Sequence, residues 1–405
     1  MLVRRLGWSR VAAVFCVVVL LGGCADFTVL GPREPVTVRF TAPGAASYYE
    51  PLVEAFEDQH RNITIELVDG MFFGYEQLAD VDVIIAPQSN IADLIDGGFA
   101  MSLHELIAQD DAFDLADFYP GAVEALTVQG QRWAIPYMAD AIVMFYNRDL
   151  YDKRNVPYPD AGWTWQGFLD RAVSLTDESV GEYGYAYQLT GQMAFIEPML
   201  LIYQHGGQVF DNPADPTALT LNEPLNVEAL QWYADLIHRH GVAPPPVNRQ
   251  MPFPQAGVEA GKYAMWLGFL SDRWEELNVG VAPVPGDANA VTLGAVLGLF
   301  IRADTQDPQA CWEWVKFVTN EAPPFLMPAR RSLAEAGAAM NPDFVEAGRA
   351  SLETMLPLNL NLDPTSLLYK QWGTIMQAFT TAVVDIQNGD PVGPALDEAQ
   401  RKVDF

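Results

Sequence analysis

Apolar and polar residues alternate through "VTVRFTA" (residues 36–42), as in a strand with one buried face. The next stretch, "YYEPLVEAFEDQH" (48–60), sets Leu52, Ala55 and Phe56 at helical spacing. "ITIEL" (63–67) reads as a second strand, and "DVIIA" (82–86) as a short apolar run suited to a fully buried parallel strand. "IADLIDGGFAMSL" begins as a helix that Gly97-Gly98 stops. This β-α-β-α alternation predicts an open, mostly parallel sheet covered by helices.

From Phe145 the pattern begins again. "AIVMFYN" (141–147) reads as a strand, and "GWTWQGFLDRAVSLT" (162–176) as a helix capped by Thr164, with Trp165, Phe168, Leu169 and Ala172 facing inward. "LNVEALQWYADLIHRHGVAP" (225–244) is an amphipathic helix stopped by Gly241 and the prolines that follow. "YAMWL" and "VGVAPVPG" read as short strands. "LGAVLGLFI" (293–301) is a strand leading to a helix with Trp312 and Phe317, and the tail from Pro364 is mostly helical. At 405 residues and 50% hydrophobic, the chain supports two or three domains. The expected architecture is two α/β lobes joined by more than one crossing.

The first residues stand apart from this pattern. "MLVRRLGWSRVAAVFCVVVLLGGC" has Arg4, Arg5 and Arg10, an apolar run from Val11 to Leu21, and small residues before Cys24. That is the layout of a secretory signal, and the run is about half of what a permanent membrane span needs. Of the three cysteines, only Cys311 then remains in the body, so no internal disulfide is expected there. Its neighbours Ala310, Trp314 and Phe317 recur at helical spacing, which makes Cys311 a small core hydrophobe.

Charge narrows the function. With 23 basic and 52 acidic residues, the net charge of −29 excludes a general nucleic-acid binder and argues against electrostatic adhesion to anionic lipid. A solvated acidic surface of this kind keeps a protein soluble and monomeric. Catalytic patterns are missing: there is no G-x-S-x-G elbow, phosphate-binding glycine loop or H-E-x-x-H. The five histidines (His60, His104, His205, His238, His240) are scattered, and His238 and His240 point to different helical faces. No metal or cofactor is expected. Among so many carboxylates a glycosidase pair remains an open alternative.

Several segments in order resemble the extracellular solute-binding proteins of bacterial ABC importers, the family that includes the maltose-binding protein. They are "WAIPYMADAIVMFYNRDLYD", "VPYPDAGWTWQGFLDRAVSLT", "EALQWYADLIHRHGVAP", "GKYAMWLG", "WEWVKFVTNE" and "PARRS". "LGGC" likewise resembles a lipobox, in which Cys24 becomes the lipidated first residue of the mature protein. The resemblance implies a two-lobed periplasmic-binding-protein-like fold of type II, with a ligand cleft between the lobes. Its expected division is a signal peptide at 1–23, a lipidated tether at 24–35, a first lobe from 36–138 plus 297–323, and a second from 139–296 plus 324–405. The implied function is extracytoplasmic capture of a carbohydrate by lobe closure and delivery to the transmembrane permease subunits, without a cofactor. Three other readings stay open: a non-sugar solute such as glycerol phosphate, an extracytoplasmic glycoside hydrolase, and a scaffold that no longer binds a solute.

By the same resemblance, the chain crosses between lobes near Met138-Ala139-Asp140 and again near Gly294–Gly298. Tyr137 and Asp140 are the first candidate ligand contacts. Tyr48 and Tyr49 follow the first strand, one of them expected to face the helix interior. Ser89 stands where relatives often carry Asp. Trp266 belongs to core or cleft with equal reason, and Phe269 takes the place of a stacking Trp found slightly further on in relatives. Arg330, in "PARRS", is a cleft donor or a loop anchor. Trp372 begins a late helix that lines the second lobe's wall. Phe195 and Glu197 are further candidates, whereas Trp163 and Trp165 read as helix-docking core.

Overall fold

The computed structural model describes residues 35–42, 46–68, 80–187, 193–212, 216–246, 254–286, 289–323, 326–334, 342–357 and 366–403. The secretory signal, Cys24 and the tether before residue 35 lie outside the described residues.

Chain order alternates strands and helices. It begins with β1 (Val36–Thr41), α1 (Ala46–Gln59), β2 (Ile63–Val68), β3 (Val83–Pro87) and, past a tight turn at Gln88–Asn90, α2 (Ile91–Asp96). Short helices α3 (His104–Ala108) and α4 (Pro120–Glu124) precede a two-residue hairpin, β4 (Thr127–Val128) with β5 (Gln131–Arg132). The long β6 (Ala134–Asn147) runs into α5 (Arg148–Arg154), α6 (Trp165–Leu175), α7 (Met193–Gln204), α8 (Pro224–His238) and α9 (Pro254–Glu259). Strands β7 (Met265–Phe269), β8 (Val279–Ala282) and β9 (Thr292–Ile301) follow, then α10 (Pro308–Val318) and β10 (Met327–Pro328). The chain closes with α11 (Pro342–Glu353), β11 (Met355–Pro357), α12 (Leu367–Lys370), α13 (Trp372–Gln387) and α14 (Val392–Val403).

The two halves of β6 belong to different sheets. Residues 134–141 pair with β9, whereas 142–147 lie between β7 and β8. The pairing changes between Ala141 and Ile142, just past the crossing expected at 138–140. All fourteen residues of this strand are buried. Its even-numbered Ile142, Met144 and Tyr146 face the core that packs α6, α7, α8, α13 and α14, while Val143 and Phe145 face the other large core.

The fold is two-lobed and mixed α/β. Parallel pairing holds for β1 with β2 and β3, and for β11 with β9; β3–β9, β6–β9, β6–β7 and β6–β8 are antiparallel. The expected "mostly parallel" sheet therefore describes only its outer part. Strands that pass between the lobes and return must meet their neighbours in the opposite sense.

Local chemistry accounts for the element ends. Thr164 accepts the Gly167 N–H at 3.1 Å and caps α6, whose Trp165, Phe168, Ala172 and Leu175 are buried. Gly241 ends α8 with φ +62°, a left-handed conformation that glycine adopts without strain. In α1 the buried positions are Tyr49 and Phe56, seven apart, and Ala55 is exposed rather than inward. Two large aromatics at that spacing fill the groove against Phe40 and Trp314, so the helix turns to bury them.

Residues 326–334, assigned from sequence to the second lobe, pack on elements of the first. Met327 and Pro328 pair with Ala139 and Met138, and the Ala329 carbonyl accepts the Tyr119 N–H at 3.1 Å. Among the described residues, no helix is long and apolar enough to cross a membrane.

Candidate functional site

Four polar side chains gather where β1 and β3 end and β6 bulges. Tyr48 and Tyr49 open α1 just past β1; their rings meet edge to face at 5.0 Å. Tyr49 also packs edge-on to Phe40 at 5.1 Å and is fully buried. Tyr137 sits where the β6–β9 register shifts between Pro136 and Met138. Such a bulge re-aims a side chain out of the regular pleat. Burial, with Tyr49 and Tyr48 close by, pushes the Tyr137 phenol far above its ordinary range; Tyr49 moves the same way, chiefly by burial. These groups therefore stay protonated and act as hydrogen-bond donors and acceptors.

Their hydrogen bonding is incomplete. Tyr48 donates to the Ala322 carbonyl. Both amide atoms of Gln88 are buried and have no hydrogen-bond partner within the protein, whereas the Tyr137 hydroxyl lies within interaction range of those of Tyr48 and Tyr49 without a well-aligned bond to either. Each such group costs about 1–3 kcal/mol relative to a satisfied one. Tyr49, Gln88 and Tyr137 are only 0%, 3% and 2% exposed. Gln88 follows the carboxyl end of β3, and Tyr48 and Tyr49 follow that of β1, the side of an open α/β sheet on which ligands bind.

Ser89, expected at the site, shares this turn with Gln88, and the two side chains point differently. Ser89 is exposed and donates to Asn90 Oδ1 at 3.1 Å, whereas Gln88 turns inward. The polar Gln at the end of the apolar run 83–87 was the available signal, but only the tight turn decides which residue points in.

Asp140 lies three residues beyond Tyr137. Its carboxylate, 6% exposed, accepts the Ser271 N–H at 3.1 Å and the Ser271 hydroxyl at 2.5 Å. Burial pushes its pKa up to about 6, against the lowering effect of the two Ser271 bonds. Asp140 thus ties the loop after β7 to the crossing strand. Phe269, at the end of β7 and opposite Ile142, is half-buried against the second-lobe core.

The loop held by Asp140 borders a cavity of about 500 Å³. Met193, Leu267, Gly268 and Trp274 line it, together with the acidic Glu259, Asp272, Glu275 and Glu276 and the basic Arg273. Burial raises the pKa of Asp272, whose carboxylate accepts the Phe269 N–H at 3.0 Å. The lining thus carries four acidic residues and one basic one.

Three candidates take structural places instead. Trp266 is fully buried, stacked on Phe145 at 6.0 Å and edge-on to Trp274 at 5.1 Å. Its odd register partner Phe145 puts it on the core face of the strand pair. Arg330 is 7% exposed, bonds Asp117 at 3.1 Å and lies 4.3 Å over the Phe118 ring. It anchors its loop. Against burial, hydrogen bonds from Ser332 and Arg330 hold Asp117 below its ordinary range. Glu197 is wholly buried and accepts hydroxyls from Tyr185 and Tyr233, both at 2.7 Å, in the second-lobe core.

Trp372 opens α13 half-buried, edge-on to Phe195 at 5.5 Å and stacked over Phe210 at 6.2 Å. Trp163 and Trp165 are buried as expected, the former donating to the Pro283 carbonyl at 2.9 Å. Cys311 is buried, its thiol pushed up to about 12 mainly by burial. Among the described residues no cluster of His, Cys, Asp and Glu has the geometry of a metal site.

Residues 41–323 match the family model of the bacterial extracellular solute-binding proteins. The chain belongs to that family. It is 24% identical to an uncharacterized lipoprotein of Streptomyces antibioticus over 70% of this chain and 66% of the relative. It is 23% identical to the arabinooligosaccharide-binding protein of Halalkalibacterium halodurans over 46% of this chain and 38% of the relative. The chain thus spans less than two thirds of the length of these two relatives. In three dimensions it resembles the cyclic α-maltosyl-1,6-maltose binding protein of Arthrobacter globiformis. That match has a TM-score of 0.74, 18% identity, and coverage of 91% of this chain and 98% of the other.

Proposed function

We propose that this family member is the solute-capturing component of an ABC importer and that its solute is a carbohydrate. The observation that carries this reading is the set of uncharged polar side chains beside the ends of β1 and β3, where Tyr48, Tyr49 and Tyr137 bring their hydroxyls together and both Gln88 amide atoms lack a partner within the protein. Phenols and an amide can exchange donors and acceptors with sugar hydroxyls, and they bear no charge that would require a charged solute. The names of the relatives, one for an arabinooligosaccharide and one for a cyclic maltosyl sugar, support the same class.

In this reading the two lobes close over the solute, and no bond is made or broken. A ligand that contacts both lobes shifts the population toward the closed form by its differential affinity. Tyr48, Tyr49, Gln88, Ser89 and Tyr137 would supply one half of the site; Phe269, Trp372 and the cavity wall would supply the other. Asp140 positions the loop between them. Residues 36–141, 294–323 and 326–334 would move as one body, against residues 142–293 and α12–α14. The protein would act as a monomer outside the cytoplasm, held at the membrane by acyl chains on Cys24, and would dock on permease subunits.

A phosphorylated solute fits less well. Arg330 is committed to Asp117 and Phe118, and the cavity wall is acidic. A thermal-shift panel of oligosaccharides, polyols, sugar phosphates and amino acids tests the proposal on the full chain. A solute at a hundredfold excess over its Kd stabilises the native state by about 2.7 kcal/mol. Shifts with neutral saccharides are expected; shifts confined to phosphates or amino acids would overturn the carbohydrate reading.

A further inference from the structure

A side-chain bond joins the two lobes outside the strands that cross between them. Tyr369, on α12 of the second lobe, donates its hydroxyl to Asp93 Oδ1, on α2 of the first. Both ends stand on seated turns. Ile91, Ala92 and Leu94 bury α2 in the first-lobe core, and Leu368 buries α12 in the second. Each turn also continues directly into the candidate site: α2 follows Gln88 and Ser89, and α12 precedes Trp372.

We propose that Tyr369 and Asp93 form a latch that holds the lobes together in the absence of solute and so sets the closed share of the empty protein. Burial, with Asp93 and Asp96 close by, pushes the Tyr369 phenol up to about 12, so the donor persists across the physiological range. A latch continuous with both half-sites has a functional consequence. Solute that draws in the Gln88 turn and the Trp372 end brings the two latch partners together, and the latch then slows release. The inference rests on the lobe motion of the proposed function, but its test needs no solute and is independent of which solute is carried.

The test is double electron–electron resonance on the solute-free full chain in lipid nanodiscs. Spin labels are introduced as unnatural amino acids at Glu54 on α1 and Gln377 on α13, both exposed. Tyr369→Phe removes the donor and Asp93→Ala the acceptor, so each removes the bond at an exposed position. Each is expected to raise the open population about five- to tenfold, as for the loss of one hydrogen bond. The double variant should open no further than either single one, because both remove the same bond. An unchanged distance distribution in either single variant, or additive opening in the double variant, would overturn the proposal.

Discussion

Asp140→Asn isolates a proton that the fold favours. In the folded chain the Asp140 carboxyl is raised from an ordinary 3.8 to about 6, principally by burial. Its unfolded counterpart keeps the ordinary value, so between about pH 4 and 6 the native state binds more protons than the unfolded state. Stability from this residue is therefore fully present below the unfolded value and is lost as pH rises through the folded one. The gap corresponds to about 3 kcal/mol. The Ser271 bonds, at 3.1 and 2.5 Å, offset part of the burial penalty but do not cancel it. Asn keeps the shape and a carbonyl acceptor for Ser271 while removing the titration. Urea unfolding at pH 4, 5, 6 and 7 gives the free-energy difference between wild type and variant at each pH. That difference should move by about 2.4 kcal/mol in favour of the variant between pH 4 and 7, because the unfolded carboxyl is already partly ionised at pH 4. Subtracting the two proteins cancels the opposite pH dependence of Asp117 and Glu182, whose pKa values are lowered. A difference that stays constant with pH would refute a buried Asp140 whose pKa is raised by the fold.

Three further substitutions probe the site and its supports. Gln88→Leu removes two buried, unpartnered polar atoms and should stabilise the empty protein by about 1–2 kcal/mol while weakening solute binding; reduced stability in urea would contradict this. Trp266→Ala empties a fully buried aromatic stack and should cost about 3–5 kcal/mol, and a loss below about 1 kcal/mol would show that the ring lies outside the core. Asp117→Ala leaves the Arg330 guanidinium without its carboxylate. A cost of about 3 kcal/mol is expected, at the low end for a buried pair because Asp117 is 19% exposed; solute affinity should be unchanged if Arg330 only anchors its loop.

Periodicity revealed the elements because burial imposes it. "VTVRFTA", the Thr164-capped helix and the Gly241 stop all stand where the alternation and punctuation placed them. Within "WAIPYMADAIVMFYN", resemblance rather than periodicity points to the crossing, since every position of β6 is buried and no polar face marks a change of sheet. The direction of pairing was equally hidden, because apolar runs such as "DVIIA" suit parallel and antiparallel neighbours alike. At the site, Tyr137 and Asp140 were visible as polar residues in an apolar stretch. Gln88 and Ser271 were not, for two different reasons. A turn selects Gln88 over Ser89, and Ser271 gains its role only through a hydrogen bond to a residue 131 positions away. Trp266 and Arg330 show the opposite difficulty. Aromatic and guanidinium groups serve cores and ligands equally well, and only burial against Phe145 or Phe118 separates the two uses.

Isothermal titration of the full chain with the saccharide that gives the largest thermal shift tests the central claim most directly, alongside Tyr137→Phe and Gln88→Leu. The account predicts one saccharide per chain, with affinity falling about tenfold or more in each variant as a buried hydrogen bond is lost. Binding that is as tight in both variants as in the wild type, or heat only from sugar phosphates, would contradict a neutral carbohydrate held at the Tyr137–Gln88 face.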